Sequence, residues 1–223
     1  KMNGENCLIS FTRDITLRKN LENSRLATLR LLNICNQSAN IEDLARDVTL
    51  FFKQLSGCEG VGLRLRDGPD FPFFKTEGFP EQFVRAETRL CAFSDNGRPE
   101  LDAHGNPVHV CICGRILHGI FDPNLPYHTK QGSFWTNSTS ALASALSPEE
   151  VPQRNRNRCV TEGYESVALI PLRNLQETFG LLQFNDHQKD RFTAEKIEFL
   201  EALADYVTVA ISKLRSERAL RAN

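Results

Sequence analysis

The residues best suited to chemistry lie in one short run, HVCICG at positions 109–114. Side chains of an extended chain alternate between two faces, so an extended run would place His109, Cys111 and Cys113 on the same side. Thiolates and imidazoles are ligands for metal ions, and a thiolate is also a redox-active nucleophile. The run therefore predicts a ligand, redox or metal site.

Cys91 and Cys159 lie in flanking segments and extend this set to four thiols. Four thiolates suit Zn²⁺ or an iron–sulfur cluster, and a Cys or His can ligate haem iron. However, the spacing is Cys-x-Cys rather than the Cys-x-x-Cys of zinc knuckles, and no Cys-x-x-Cys-His haem-attachment sequence occurs. Free cysteines also pack as small buried hydrophobes. Haem, zinc and iron–sulfur all stay open as cofactors, with simple packing as the alternative.

A second candidate region combines aromatic and hydroxyl side chains in front of a helix predicted at 140–146. It contains the only tryptophan, Trp135. Side chains such as Thr136 and Asn137 are good helix caps, and the exposed N–H groups of a helix start favour an anion. The alternative is a capped helix whose aromatic residues belong to the core. The pocket interpretation predicts a small acidic or amphiphilic ligand, with the candidate lining residues Arg115, His118, Ser133, Phe134, Trp135, Thr136, Asn137 and Tyr164.

The composition of the 223-residue chain excludes several classes of protein. Lys and Arg total 27 against 28 Asp and Glu, whereas proteins that bind nucleic acid or a membrane surface carry a basic excess. No apolar run is long enough for a transmembrane helix or a signal-peptide core. Seven cysteines, an odd number, in a chain with enough apolar residues for a core predict free thiols in a reducing, cytoplasmic compartment.

The elements that must position these residues are predicted by periodicity. Residues 61–66 and 71–76 alternate around an Asp-Gly-Pro turn, which predicts a hairpin. Residues 166–173 and 179–185 predict a second, more buried hairpin. The stretch from about 86 to 165 is irregular, as is typical of a functional loop region. The fold class is therefore α+β, with an antiparallel sheet and grouped terminal helices.

Both ends of the chain predict long helices. Residues 17–35 have a weak heptad seam, and Thr193 is a helix-capping residue type in front of a stronger seam. The stronger seam consists of Ile197, Leu200, Ala204, Val207, Ile211 and Leu214. Two outward helices are what a parallel homodimeric signal relay needs. The alternative is two amphipathic helices packed on one sheet.

Residues 167–184, followed by Phe192-Thr193-Ala194-Glu195 and a long helix, resemble the C-terminal half of a GAF domain. Residues 41–66 resemble the first helix and strand of that family. GAF domains are small-molecule and light-sensing modules of signalling proteins. The resemblance implies a six-stranded antiparallel sheet with the N- and C-terminal helices packed on one face. It also implies a ligand pocket on the other face, beneath the irregular segment.

The triplet Asp14-Ile15-Thr16 before a charged helix resembles the last strand and exit motif of a PAS domain. These resemblances predict a PAS-like C-terminal strand at 1–16, a signalling linker helix at 17–37, a GAF domain at 38–214 and the start of a downstream helix at 215–223. The chain starts with Lys1-Met2, so we expect a piece of a longer sensor of the histidine kinase type. No phospho-accepting His motif or ATP-binding Gly box occurs in it, so any kinase lies outside these residues.

We therefore expect a regulatory domain without catalysis of its own. It would bind a small molecule, a metal or a redox cofactor and relay its state through coiled-coil helices. One alternative is a thiol-dependent reductase of the free methionine-R-sulfoxide reductase type, a class that shares the GAF fold and a Cys-Gly step like Cys113-Gly114. The other is a dimerisation module that binds nothing. Nucleic acid and membrane are not expected as partners.

Overall fold

The computed structural model describes residues 16–94, 96–102, 105, 107–109, 111–145 and 157–222. The PAS-like strand predicted at 1–16 lies outside these residues, except Thr16, where the first helix begins. The helices are α1 (Thr16–Gln37), α2 (Ile41–Ser56), α3 (Glu81–Glu87), α4 (Ile112–Leu117), α5 (Thr139–Ala145), α6 (Arg158–Thr161) and α7 (Ala194–Ala222). Within the described part of the chain, no helix has the length and apolar content that crossing a membrane requires.

The strands among these residues form one antiparallel sheet. They are β1 (Gly60–Leu65), β2 (Phe73–Glu77), β3 (Phe134–Thr136), β4 (Ser166–Arg173) and β5 (Thr178–Asp186), in the order β2-β1-β5-β4-β3. Both predicted hairpins are confirmed, since β1 pairs with β2 and β4 pairs with β5. The family resemblance implied six strands, whereas the described residues form a five-stranded sheet.

Bridges that lie outside the sheet link several of the described residues between α3 and α4. Isolated bridges pair Cys91 with His109, and further bridges link positions 93 to 99 and 101 to 107. The prediction that 109–114 is extended throughout is wrong, because α4 begins at Ile112 with Cys111 as its N-cap residue. Cys111 has extended backbone angles, with φ of −147° and ψ of 158°, whereas Cys113 lies in the first turn of α4, so strand alternation does not relate the two side chains.

Helix α2 has clear signals at both ends. Its N-cap residue is Asn40, whose side-chain oxygen accepts a hydrogen bond of 2.7 Å from the backbone N–H of Asp43. Its C-cap is Gly57 in the left-handed region, with φ of 67°, and the Gly57 N–H donates to the Lys53 carbonyl. Glycine adopts this conformation without strain. The two caps fix where α2 enters and leaves the helix layer.

Helices α1, α2 and α7 cover one face of the sheet. Thr193 caps α7 as predicted, because its Oγ1 accepts a hydrogen bond of 3.2 Å from the Lys196 N–H. All six residues of the predicted α7 seam are buried in one cluster with Ala168, Ile170 and Phe184 of the sheet. The seam therefore packs against the sheet of the same chain. For α7, this agrees with the alternative prediction of an amphipathic helix packed on the sheet.

The opposite face of the sheet carries a second core under the irregular segment. Alternation along β4 sends Val167 and Leu169 to this face, and their neighbours Ala168 and Ile170 to the helix layer. Apolar side chains of α3, α4 and the connecting loops pack over it, among them Phe71, Phe83, Leu90, Ile116 and Leu117. The sheet thus separates a helix-covered core from a loop-covered core.

We expect Phe184→Ala to lower the free energy of unfolding by about 3–5 kcal/mol, because it removes buried apolar surface and leaves a cavity. Phe184 has no exposed surface, and its ring packs edge-to-face on Phe52 with centroids 5.7 Å apart. Urea unfolding monitored by circular dichroism measures the change. The control is Leu175→Ala in the exposed β4–β5 turn, which should change the value by at most about 0.5 kcal/mol. Similar losses in both variants would contradict this packing.

Candidate functional site

A cavity of about 400 Å³ lies on the loop-covered face of the sheet. Val167 and Leu169 of β4 and Phe134 of β3 form its base. Its other walls come from α4, from α5 and α6, and from the connection between α4 and β3. Those walls contribute mainly apolar and aromatic side chains, among them Ile112, Ile120, Phe121, Leu125, Tyr127, Leu142 and Val160.

Five of the residues predicted from the sequence line this cavity, namely Cys111, Cys113, Arg115, Phe134 and Cys159. Three thiols from two distant parts of the chain therefore meet at one wall. In the part of the chain that the structure describes, no group of three or more His, Cys, Asp or Glu side chains is placed to hold a metal ion. The four thiols predicted as a metal site, Cys91, Cys111, Cys113 and Cys159, are therefore not placed as such a group.

Cys91 lies apart from the other three candidate thiols. Its backbone N–H donates a hydrogen bond of 2.9 Å to the Asp70 carboxylate, and its thiol donates to the Ala92 carbonyl. The same carboxylate oxygen accepts from the N–H groups of Phe71 and Leu90. Asp70 therefore organises this loop, and Cys91 takes part in it through its backbone.

Behind the thiols, β1 buries the Arg64 side chain completely. Its guanidinium donates to the carbonyl oxygens of Phe71, Glu87 and Thr88 at 2.8–3.2 Å, and to Gln183 Oε1 at 3.2 Å. Burial lowers the pKa of Arg64, and the nearby thiols Cys113 and Cys111 oppose this. Every strong acceptor of this cation is an uncharged oxygen, so its positive charge acts on the thiols.

The amide of Gln183 connects Arg64 with the thiols. Its Nε2 donates to Cys159 Sγ at 3.7 Å and to Asn185 Oδ1 at 3.1 Å, and Asn185 Nδ2 donates to Cys159 Sγ at 3.3 Å. On the other side of the same amide, Gln183 Oε1 lies 4.0 Å from Cys113 Sγ. Cys159 is therefore held as an acceptor. Its pKa is raised to about 12, first by burial and then by charge on Cys111.

Cys111 and Cys113 form a closely spaced thiol pair, with their sulfur atoms 3.7 Å apart. The hydrogen bond between the two thiols lowers the pKa of Cys111, whereas burial raises it and the Arg64 charge lowers it further. The same bond raises the pKa of Cys113. Cys111 is the more exposed of the two, which also favours charge on Cys111. The pair thus combines a readily ionised thiol with one that keeps its proton.

His109 and His118 contact each other next to this wall. His118 Nε2 lies 2.8 Å from His109 Nδ1, which also lies 3.2 Å from the Pro107 carbonyl. A carbonyl only accepts, so we assign the proton to His109 Nδ1 and the acceptor role to His118 Nε2. Burial lowers the pKa of both histidines. Burial therefore favours the neutral form of both imidazoles.

Strand alternation separates two other predicted residues from the cavity. Trp135 points to the opposite face from Phe134 and packs against the helix-side core. Ser133 is buried, and its hydroxyl has no hydrogen-bond partner in the described structure. It lines a separate depression beside Arg173 and Glu201. These positions do not meet the thiols.

Thr136, Asn137 and Tyr164 have structural roles. The Asn137 amide donates to the Phe192 carbonyl at 2.7 Å and accepts from the Phe192 N–H at 3.0 Å, which fixes β3 to the start of α7. Thr136 Oγ1 accepts from the Ser138 N–H. Tyr164 packs edge-to-face on Phe79 and Phe83 and lies against His187. None of these three is among the residues that line the cavity.

Several cavity residues were missed by the sequence analysis. Phe121 and His128 flank a turn-rich segment, where their aromatic rings were the available signal. Leu142 lies on the predicted 140–146 helix, which α5 confirms. Arg64 was missed because an arginine in an alternating strand is typical of a solvent-facing position.

The GAF domain family matches residues 40–211, which is most of the chain. The protein therefore belongs to the GAF domain family, a sensory and regulatory fold of signal transduction. The predicted membership of the GAF family is confirmed. No curated protein sequence matches the chain.

Three solved structures illustrate the range of proteins with this fold. The GAF domain of an Acinetobacter phosphoenolpyruvate-protein phosphotransferase has a TM-score of 0.58 at 12% identity, covering 88% of this chain and 97% of that chain. A domain from Sinorhizobium meliloti 1021, assigned to a two-component sensor histidine kinase, has a TM-score of 0.52 at 16% identity. It covers 82% of this chain and 99% of that chain. Free methionine-R-sulfoxide reductase from Neisseria meningitidis has a TM-score of 0.56 at 12% identity, covering 95% of this chain and 98% of that chain. These likenesses show a shared fold.

The His109–His118 pair predicts a loss of stability in acid. A histidine whose pKa is lowered by folding binds its proton more tightly in the unfolded chain, so stability falls as pH drops below about 6.5. We expect His118→Gln to flatten this fall between pH 7 and 5. Urea unfolding at each pH measures it.

The matched control is His187→Gln, which should have the opposite effect. A hydrogen bond to Glu59, 2.5 Å long, raises the pKa of His187. That stabilisation is fully present below the unfolded pKa and is lost as pH rises through the folded pKa. Removing His187 should therefore make the free energy of unfolding fall more steeply between pH 7 and 5. If His118→Gln also steepens it, the neutral assignment of the pair is wrong.

Proposed function

We propose that this GAF domain binds a small acidic or amphiphilic molecule in the cavity and relays binding through α7. One observation carries the proposal: the 121–133 segment both lines the cavity and is hydrogen-bonded to α7. Phe121 and Tyr127 are cavity walls. Thr129, in the same segment, donates from its Oγ1 to Glu201 Oε1 of α7 at 2.5 Å.

The chemistry of the lining supports an anionic, largely apolar ligand. Arg115, Arg158 and His128 line a cavity whose other side chains are mainly aliphatic or aromatic. Arg158 is paired at 3.5 Å with Glu87 and Glu162. The Arg115 side chain has no ion pair or hydrogen bond within the described residues, so a ligand carboxylate does not have to displace a partner. An apolar body with one anionic group matches this arrangement.

The link to α7 is buried and has a second component. Glu201 is only 3% exposed, so its hydrogen bond with Thr129 is made in a largely dry environment. Arg173 of β4 donates to the Gln131 carbonyl and lies over the Phe121 ring at 5.4 Å. A ligand that binds two arrangements of this segment with different affinity would shift α7 between two positions.

For assembly, we propose a parallel homodimer through the outer surfaces of the terminal helices. The heptad seam of α7 is buried within the chain, so the partner contact falls on other positions. Large apolar side chains stay exposed on both helices, including Leu21, Leu26 and Leu29 of α1 and Tyr206 and Val209 of α7. Exposed apolar clusters of this kind are typical of protein–protein contacts.

We also propose that the domain acts within a multidomain sensor of the histidine kinase type. The PAS-like triplet at 14–16, whose last residue begins α1, supports this context. The likeness in fold to the Sinorhizobium meliloti domain is compatible with it. In such a protein, α1 would receive an upstream signal and α7 would pass the combined signal downstream.

Three thiols at one cavity wall favour a second candidate function, thiol-dependent reduction of free methionine-R-sulfoxide. Such a reaction needs a nucleophilic thiolate and a resolving thiol within reach. Turnover of methionine-R-sulfoxide coupled to thioredoxin and NADPH separates the two functions. Turnover that is lost in Cys111→Ser would favour the reductase, whereas no turnover with intact thiols favours the sensor.

The sensor proposal is tested with 8-anilinonaphthalene-1-sulfonate, an anionic aromatic amphiphile, as the probe. We expect saturable binding to the folded protein and slower amide hydrogen exchange in α7 when the probe is bound. Thr129→Val removes the hydroxyl that reaches Glu201. The same hydroxyl accepts a hydrogen bond of 3.0 Å from the Ser133 N–H, which the variant also loses. Because Thr129 does not line the cavity, probe affinity should change by no more than about twofold, while most of the effect on α7 should be lost.

The matched control is Thr208→Val. Thr208 is also buried, but its hydroxyl donates to the Ala204 carbonyl within α7 and does not touch the cavity segment. This variant should keep both probe binding and the response of α7. Absence of saturable binding would overturn the ligand proposal. Equal responses of α7 in both variants would overturn the Thr129–Glu201 link.

A further inference from the structure

The sulfur atoms of Cys111 and Cys113 lie 3.7 Å apart at the wall of the cavity. We propose that this thiol pair is a peroxide-responsive redox site, at which a small hydroperoxide entering the cavity converts the two thiols into a reversible disulfide. The proposal goes beyond ligand sensing and does not depend on it, because it requires only the two sulfurs and an oxidant.

The geometry allows the bond to form without moving a distant segment. The two residues are separated by Ile112 alone, and the sulfurs must close from 3.7 Å to about 2.05 Å. Both side chains point into the same space, so rotation about their Cα–Cβ bonds supplies the approach. Cys159 lines the same cavity, but hydrogen bonds from Asn185 and Gln183 hold its sulfur. Cys113 is therefore the resolving thiol.

The surroundings assign different roles to the two sulfurs. The pKa of Cys111 is lowered by the hydrogen bond between the two thiols, and the buried cation of Arg64 also favours its thiolate. Cys113 has a raised pKa and retains its proton. Cys111 is thus the nucleophile that meets the oxidant, since the thiolate is the reactive form. Cys113 supplies the second sulfur and a proton.

The chemistry balances in two steps. The Cys111 thiolate attacks one oxygen of the hydroperoxide, ROOH, and the O–O bond breaks; the alkoxide takes up a proton and leaves as ROH, and Cys111 becomes a sulfenic acid. Cys113 then attacks Cys111 Sγ, the S–S bond forms and the S–O bond breaks. Hydroxide leaves with the Cys113 proton as water. Two thiols are oxidised by two electrons, and the peroxide is reduced.

The disulfide would act on one wall of the cavity. Cys111 is the N-cap residue of α4, and its carbonyl accepts a hydrogen bond of 3.0 Å from the Gly114 N–H. A covalent link between Cys111 and Cys113 constrains this first turn. Ile112 and Arg115, on the same helix, also line the cavity. Oxidation would therefore alter the shape of the cavity and the position of a cationic side chain.

The test oxidises the reduced full-length chain with hydrogen peroxide under native conditions. We expect two thiols to be lost per chain and the intact mass to fall by about 2 Da, as for one new disulfide. Peptide mapping should place the bond between Cys111 and Cys113, and dithiothreitol should restore both thiols. No loss of thiols, or a disulfide that joins Cys159 to either residue, would overturn the proposal.

Substitutions separate the roles, with folding checked by circular dichroism. Cys113→Ser should stop the reaction at the Cys111 sulfenic acid, which dimedone traps, and Cys111→Ser should slow thiol loss roughly tenfold or more. Cys58→Ser is the matched control, since Cys58 is a buried thiol of the helix-side core and its loss should change neither rate nor product. Dimedone on Cys113 in Cys111→Ser, at the wild-type rate, would overturn the assignment.

Discussion

The buried guanidinium of Arg64 is the constraint on which the loop-covered half of the domain depends. A buried cation whose donors lack partners costs several kcal/mol. The carbonyls of Phe71, Glu87 and Thr88 must therefore stay where they meet Arg64, and this holds the 71–88 segment against the sheet. The Nε group donates to Gln183, whose amide donates to Cys159. One side chain thus organises a loop and places a positive charge near the thiols.

The sheet allows the two halves of the domain to serve different purposes. Adjacent residues of β4, such as Ala168 and Leu169, contribute to different cores because strand side chains alternate. The helix side is apolar and densely packed, which suits a rigid connection to other elements. The loop side contains a cavity, a buried charge and three thiols. Chemistry on one face can then reach the helices only through elements that pass the edge of the sheet.

Two kinds of input meet at that cavity. A ligand would contact the 121–133 segment, which reaches α7 through Thr129 and Glu201, whereas an oxidant would act on the first turn of α4. Both elements are walls of the same space. Oxidation and ligand binding would therefore influence each other. A disulfide that changes the α4 wall would change the affinity of the cavity for a ligand bound at the 121–133 wall.

Sequence periodicity by itself determined the local elements: both hairpins, the Thr193 cap and the terminal helices follow from residue patterns that act over a few positions. It also identified Cys111, Cys113 and Cys159 as candidates. Only the tertiary structure decided that the α7 seam faces the sheet, that Cys91 lies elsewhere, and that Arg64 is buried behind the thiols. The reason is physical: periodicity specifies which side chains share a face, whereas the partner of a face depends on contacts between segments far apart in the chain.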